Sequence, residues 1–171
     1  MLASRKPKPR KSEDPDLFGH PGWENETPIM DAHAAVEFVL AGKAKITLRS
    51  EKTGKHYTFK IRKSDGESWF VSRLAGGSCY RYLGTIFPEG FRSTRKSEHL
   101  TKHWLKESFD AFDWFWRRLN QDQKIPEGVK LFHAGRCAAC GLELTDPVSI
   151  KIGFGPDCAK RRLQRPFMCV R

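Results

Sequence analysis

The chain has 171 residues, 39% hydrophobic and 12% aromatic, enough for one modest core and a small appendage. Its 31 Lys and Arg against 20 Asp and Glu leave a formal charge of +11, a surface that attracts polyanions, of which nucleic acid is the commonest in a cell. No stretch approaches the roughly eighteen apolar residues of a membrane span, which excludes a spanning helix.

The N-terminus carries Arg5, Lys6, Lys8, Arg10 and Lys11 without an apolar run, so it does not read as a secretory signal. The expected compartment is the cytoplasm. Five cysteines in a reducing compartment argue for metal or free thiol rather than disulfides. Residues 1–29, with Pro7, Pro9, Pro15, Pro21 and Pro28 among mixed charges, read as a disordered, basic, proline-rich tail. The run from Lys6 to Lys11 is either an arm that touches phosphate or a solvated terminus.

From Asp31 the pattern changes. Asp31 is a predicted N-cap, Ala32, Ala35, Val36, Val39 and Leu40 recur at helical spacing, and Gly42 suits the stop. Ile46 and Leu48 then alternate with Lys45, Thr47 and Arg49. Tyr57, Phe59 and Ile61 alternate with His56, Thr58, Lys60 and Arg62, and Thr53-Gly54 between the runs predicts a β-hairpin. Strand side chains alternate between faces, so Lys45, Arg49, Lys60 and Arg62 share the polar one. That face is either a basic nucleic-acid surface or the ordinary charged side of a half-buried sheet.

Two more strands are predicted at 69–74 and 80–87, divided by Gly76-Gly77, with Cys79 read as a buried thiol. Pro88-Glu-Gly90 should break the sheet. His99 and His103, four apart, would share a helical face as metal ligands do, but no Glu follows His99, so both read as surface histidines. Residues 107–119 return to helical period, with Ser108 as cap and Phe109, Phe112, Phe115, Trp116 and Leu119 as an apolar stripe that covers the sheet. Asp110 and Asp113 lack the further acidic groups that a two-metal nuclease needs. The region 30–120 thus reads as one α+β domain, and residues 120–128 as a linker into a module at 129–171.

That module carries the chemistry. Cys137-Ala-Ala-Cys140-Gly141 lets one tight turn aim two sulfurs at a common point about 2.3 Å from a zinc ion. Gly153-Phe-Gly-Pro156-Asp-Cys158 then looks like a helix start, which stabilises a third thiolate. A knuckle plus a helix start is the layout of a treble-clef site. The fourth ligand is open between His133, four residues before Cys137, Cys169, and Asp157 or water. Four protein ligands would close the shell and make the metal structural. Lys160, Arg161 and Arg162 follow Cys158 directly and, with Arg165 and Arg171, suit phosphate contact.

The string His133-x-Gly135-Arg-Cys137-x-x-Cys140-Gly141, Leu144-Thr-x-Pro147-x-Ser149-Ile, Gly153-x-Gly155-Pro156-x-Cys158 resembles a small zinc-binding domain of unknown function, frequent in bacteriophage and mobile-element proteins. The layout from Phe38 to Phe112-x-x-Phe115-Trp116 resembles the N-terminal part of such proteins, so the likeness covers about three quarters of the chain. The usual Cys-Gly-x-Cys-Gly is loosened here to Cys-Ala-Ala-Cys-Gly, which keeps the ligands. The resemblance implies a phage or mobile-element origin, action inside the host cell, and zinc. It implies no activity.

Nucleases of the HNH type also use a treble clef, but they need histidines between the ligand pairs, and none lies between Cys140 and Cys158. The expectation is therefore an α+β fold, a small antiparallel sheet packed on helices, followed by a zinc-stapled, treble-clef-like module. The expected function is a non-catalytic nucleic-acid-binding accessory protein with Lys45, Arg49, Lys60, Arg62, Lys160, Arg161 and Arg162 as contacts. The rival is a phage protein-interaction module or inhibitor that docks on a host nucleic-acid enzyme.

Overall fold

A computed structural model of the chain describes residues 27–163. The basic arm, Cys169, Arg165 and Arg171 lie outside the described residues. Seven strands form one antiparallel sheet: β1 (Thr27–Ile29), β2 (Lys43–Ser50), β3 (His56–Lys63), β4 (Trp69–Leu74), β5 (Tyr80–Phe87), β6 (Gly90–Arg92) and β7 (Val129–His133). Their spatial order is β1-β7-β2-β3-β4-β5-β6. The helices are α1 (Ala32–Val39), α2 (Lys106–Asp122), α3 (Pro147–Ile152) and α4 (Pro156–Leu163). The protein is α+β.

Local chemistry accounts for most elements. The Asp31 carboxylate accepts from Ala34 N at 2.7 Å and starts α1. The hairpin β2–β3 pairs Ile46 with Phe59 and Leu48 with Tyr57, which puts the apolar alternation on one face. Phe112 on α2 closes over that face, its ring 5.0 Å from Phe59 and 4.8 Å from Phe91. Phe112, Phe115, Trp116 and Leu119 are all buried. Each such side chain contributes about 1.5–3 kcal/mol through burial, so the stripe secures α2 to the sheet.

Several expectations are corrected. Residues 27–29, assigned to the tail, form a strand paired with β7. Pro88-Glu-Gly90 does not end the sheet but turns it into β6, which pairs with β5. Ser108 does not cap α2. It is buried inside the first turn, and its hydroxyl donates to Leu105 O at 2.7 Å. His99 is buried, its ring stacked on Phe109 at 3.9 Å. Burial pulls its pKa below the usual imidazole value, against the backbone of Leu83. Cys79 is exposed, because it lies in the reversal between β4 and β5 rather than in a strand.

The largest difference concerns where the chain divides. Strand β7 inserts between β1 and β2, with His133 opposite Ile46 and Leu131 opposite Leu48. The segment that begins the C-terminal module is thus an inner strand of the main sheet. Five residues with the parity of Val129, Leu131 and His133 give no sign of this in sequence, because a short alternating run beside a turn is equally at home in a small module.

Candidate metal centre

Strand β7 delivers the chain to the site. After His133, Arg136 and Glu143 form an isolated antiparallel bridge, and the turn between them holds Cys137 and Cys140. Inside it, Gly141 N donates to Cys137 O at 2.8 Å and Cys137 N to Leu142 O at 2.8 Å. Gly141 has φ +82°, the left-handed region that favours glycine, and it lets the chain leave the knuckle without strain. Asp146 caps α3 by accepting from Ser149 N at 2.9 Å. The Gly153 carbonyl at the end of α3 accepts from Ala138 N at 3.1 Å, which ties α3 to the knuckle. Helix α4 opens with Pro156, and Cys158 stands in its first turn.

The sulfurs of Cys137, Cys140 and Cys158 lie within 4.8 Å of one another. Cys137 is buried and the other two are half-buried. Burial raises the Cys137 pKa, but the backbone N–H groups of Cys140, Gly155 and Ala139 outweigh it and bring the thiol down to about 7. Burial, then the neighbouring Cys137 and Cys140 sulfurs, push Cys158 up to about 11. Three thiolates this close repel one another unless a cation sits among them, and the donor set suits a thiophilic metal ion.

His133 stands outside this group. Its Nδ1 accepts from Gly135 N at 3.2 Å, and its ring packs on Phe38 at 5.2 Å between centroids. Burial holds its pKa below the usual imidazole value, with the backbone of Ile150 acting against it. Its Nε2 is buried and has no hydrogen-bond partner among the described residues. Among those residues no His, Cys, Asp or Glu, Asp157 included, joins the three sulfurs.

The cationic residues fall into two places. On the sheet, Lys45 lies opposite Lys60, and Arg49 lies opposite both His56 and Lys130. Arg62 lies opposite Lys43. Burial, then the charges of Arg62 and Lys45, lower the Lys60 pKa, and its ammonium sits 4.9 Å above the Tyr80 ring centroid. Lys43 and Lys130 extend this set and were not nominated from sequence. Lys43 continues the alternation of Lys45, Thr47 and Arg49 by one step, a signal that was available. Lys130 was hidden because β7 was not assigned to the sheet.

On α4, Lys160 and Arg161 are exposed. Arg162 is committed to packing: its guanidinium lies 4.4 Å over the Phe154 ring and pairs with Glu37 on α1 at 3.4 Å. Asp110 and Asp113 pair along α2 with Lys106 and Arg117.

Fold and site together define an α+β protein whose sheet continues into a candidate metal centre of three cysteines. Residues 132–163, which span the site, match a family of unknown function, DUF6011. No curated protein and no solved structure matches the chain. No described helix is long and apolar enough to cross a membrane.

Proposed function

We propose that this protein is a non-catalytic nucleic-acid-binding accessory protein of phage or mobile-element type. In this reading Cys137, Cys140 and Cys158 hold a structural zinc ion in a treble-clef-like arrangement, and the metal keeps the knuckle and α4 docked on the sheet. The two chain groups left for the fourth position are the imidazole of His133, which would have to give up its bond from Gly135 N to ligate through Nε2, and the thiol of Cys169. The protein acts in the cytoplasm of the host cell.

The observation that carries the reading is the in-register cationic ladder of Lys43 with Arg62, Lys45 with Lys60 and Arg49 with Lys130. Like charges placed directly opposite one another destabilise a sheet. Lys130 is already paired with Glu51 at 2.8 Å; at the other two rungs a polyanion relieves that repulsion and releases counterions as it binds. Lys160 and Arg161 extend the footprint, and Arg162 supports it from beneath.

The test is titration of a mixed-sequence oligonucleotide at a series of salt concentrations. Affinity should fall steeply with salt, and Lys60→Glu with Arg62→Glu should weaken binding and flatten that dependence. Absence of binding at low salt overturns the reading. A second reading, docking on a host protein, is favoured by exposed Leu142, Val148 and Ile152 around the knuckle and α3. Co-purification of one host protein, lost in Val148→Asp with Ile152→Asp, would support it.

A further inference from the structure

The outer face of the sheet carries an aromatic as well as a charge pattern. Lys43 lies opposite Arg62, Arg62 opposite Phe70, Phe70 opposite Thr85, and Thr85 opposite Arg92. Residues opposite one another share a face, so this is one row across β2 to β6. Neighbouring strands lie about 4.8 Å apart, so the row spans roughly 19 Å.

Phe70 sits in the middle of that row and is 47% exposed. Its parity separates it from Trp69, which turns inward and donates from Nε1 to Leu40 O at 3.0 Å. Phe70 is also held in place. Tyr82 packs against it edge-on, centroids 6.2 Å apart and planes at 75°. The Tyr82 hydroxyl is fixed in turn by Thr85 Oγ1 at 2.6 Å and Thr94 Oγ1 at 3.1 Å. A scattered exposed aromatic needs no explanation. A braced one, with Arg62 directly beside it and Lys43 and Arg92 exposed at the ends of its row, is differently placed, since a protein partner would have to desolvate those cations to reach the ring.

We infer that the row Lys43, Arg62, Phe70 and Arg92 is a surface for single-stranded nucleic acid, with Phe70 stacking on one unpaired base and the flanking cations meeting phosphates. The inference rests on the nucleic-acid reading above and names its substrate class. Duplex bases already stack on each other, and their faces are closed to a flat sheet. An unpaired base offers its π-face to any aromatic, whatever its identity. Row length fits a few nucleotides. Arg92 also pairs with Glu89 at 3.6 Å, an exposed contact that a phosphate can replace.

The experiment compares full-length wild type, Phe70→Ala and Phe70→Trp for binding to a labelled mixed-sequence single strand and to the matching duplex. Phe70→Ala should lower single-strand affinity by about tenfold and leave duplex affinity and the unfolding midpoint unchanged, and Phe70→Trp should restore binding. If wild type binds both forms and Phe70→Ala binds the single strand as well as wild type does, the stacking assignment is overturned while the charge-based reading stands. Equal losses for single strand and duplex also overturn it. If wild type binds neither form at low salt, the nucleic-acid reading fails and takes this inference with it.

Discussion

The ring of Phe38 fills the space that a side chain at residue 153 would need: a Cβ at Gly153 would stand 2.5 Å from Phe38 Cε2 and 2.7 Å from Cδ2. Phe38 also meets the Phe154 ring edge-on at 5.9 Å and His133 at 5.2 Å. One aromatic of α1 therefore joins the sheet, the end of α3 and the approach to α4.

Gly153→Ala should cost about 1–3 kcal/mol through overpacking, with a further penalty for its φ of +77°. Urea unfolding measures the loss. The variant should also hold metal less tightly, because the Gly153 carbonyl anchors the knuckle at Ala138 N.

Cys140→Ser should abolish stoichiometric metal binding, read by elemental analysis of the purified chain. Chelator should loosen residues 134–163 while β3, β4 and β5 keep their hydrogen-exchange protection, because the sheet has its own core. Protons compete with the metal for thiolates, and Cys158 holds its proton up to about 11. Apparent metal affinity should therefore fall with falling pH, and uptake at neutral pH should release protons. Affinity that does not change with pH would contradict a thiolate site.

Arg73 is fully buried, its guanidinium 4.8 Å from the Tyr57 centroid and 5.3 Å from that of Trp104, with Nη1 donating to Trp104 O at 3.3 Å. Arg73→Ala should destabilise by about 2–4 kcal/mol, since it removes packing and leaves polar partners unmatched. Arg73→Met keeps the stem and should cost less. Equal losses in thermal melts would show that the aliphatic stem contributes nothing.

Glu107 accepts from Lys55 Nζ at 2.8 Å and from the Tyr57 hydroxyl at 3.0 Å. The Lys55 hydrogen bond first, then that of Tyr57, holds its carboxyl below the ordinary 4.5. A carboxyl with a depressed native pKa stabilises the fold fully above its unfolded value and loses that contribution as pH falls through the native value. The pair is largely exposed, so its worth is about 0.5 kcal/mol. Glu107→Gln should differ from wild type by that much at pH 7 and converge with it in acid, as denaturant midpoints across pH would show.

Local signals decide the outcome where one rule suffices. The Asp31 cap, the β2–β3 alternation and the two strands after it depend on neighbours a few residues apart, and the α2 stripe has one apolar face to bury. The proximity of Cys137, Cys140 and Cys158 was legible for the same reason, since a two-residue knuckle and a proline-opened helix carry their own geometry. His133 lies outside the three-sulfur group because its strand parity sets it beside Ile46 and against Phe38, and parity within a strand is set by the partner strand.

What the sequence by itself determined is the kind of α1, β2 to β5, α2 and α4, and the convergence of three thiols, because these follow from spacing along one stretch of chain. Only the tertiary structure decided that β7 enters the sheet between β1 and β2, that Arg162 serves Phe154 and Glu37, and that Phe70 stands beside Arg62 on the outer face. These are relations between residues on different elements, and they come from the way strands and helices take partners and faces, which no local spacing records.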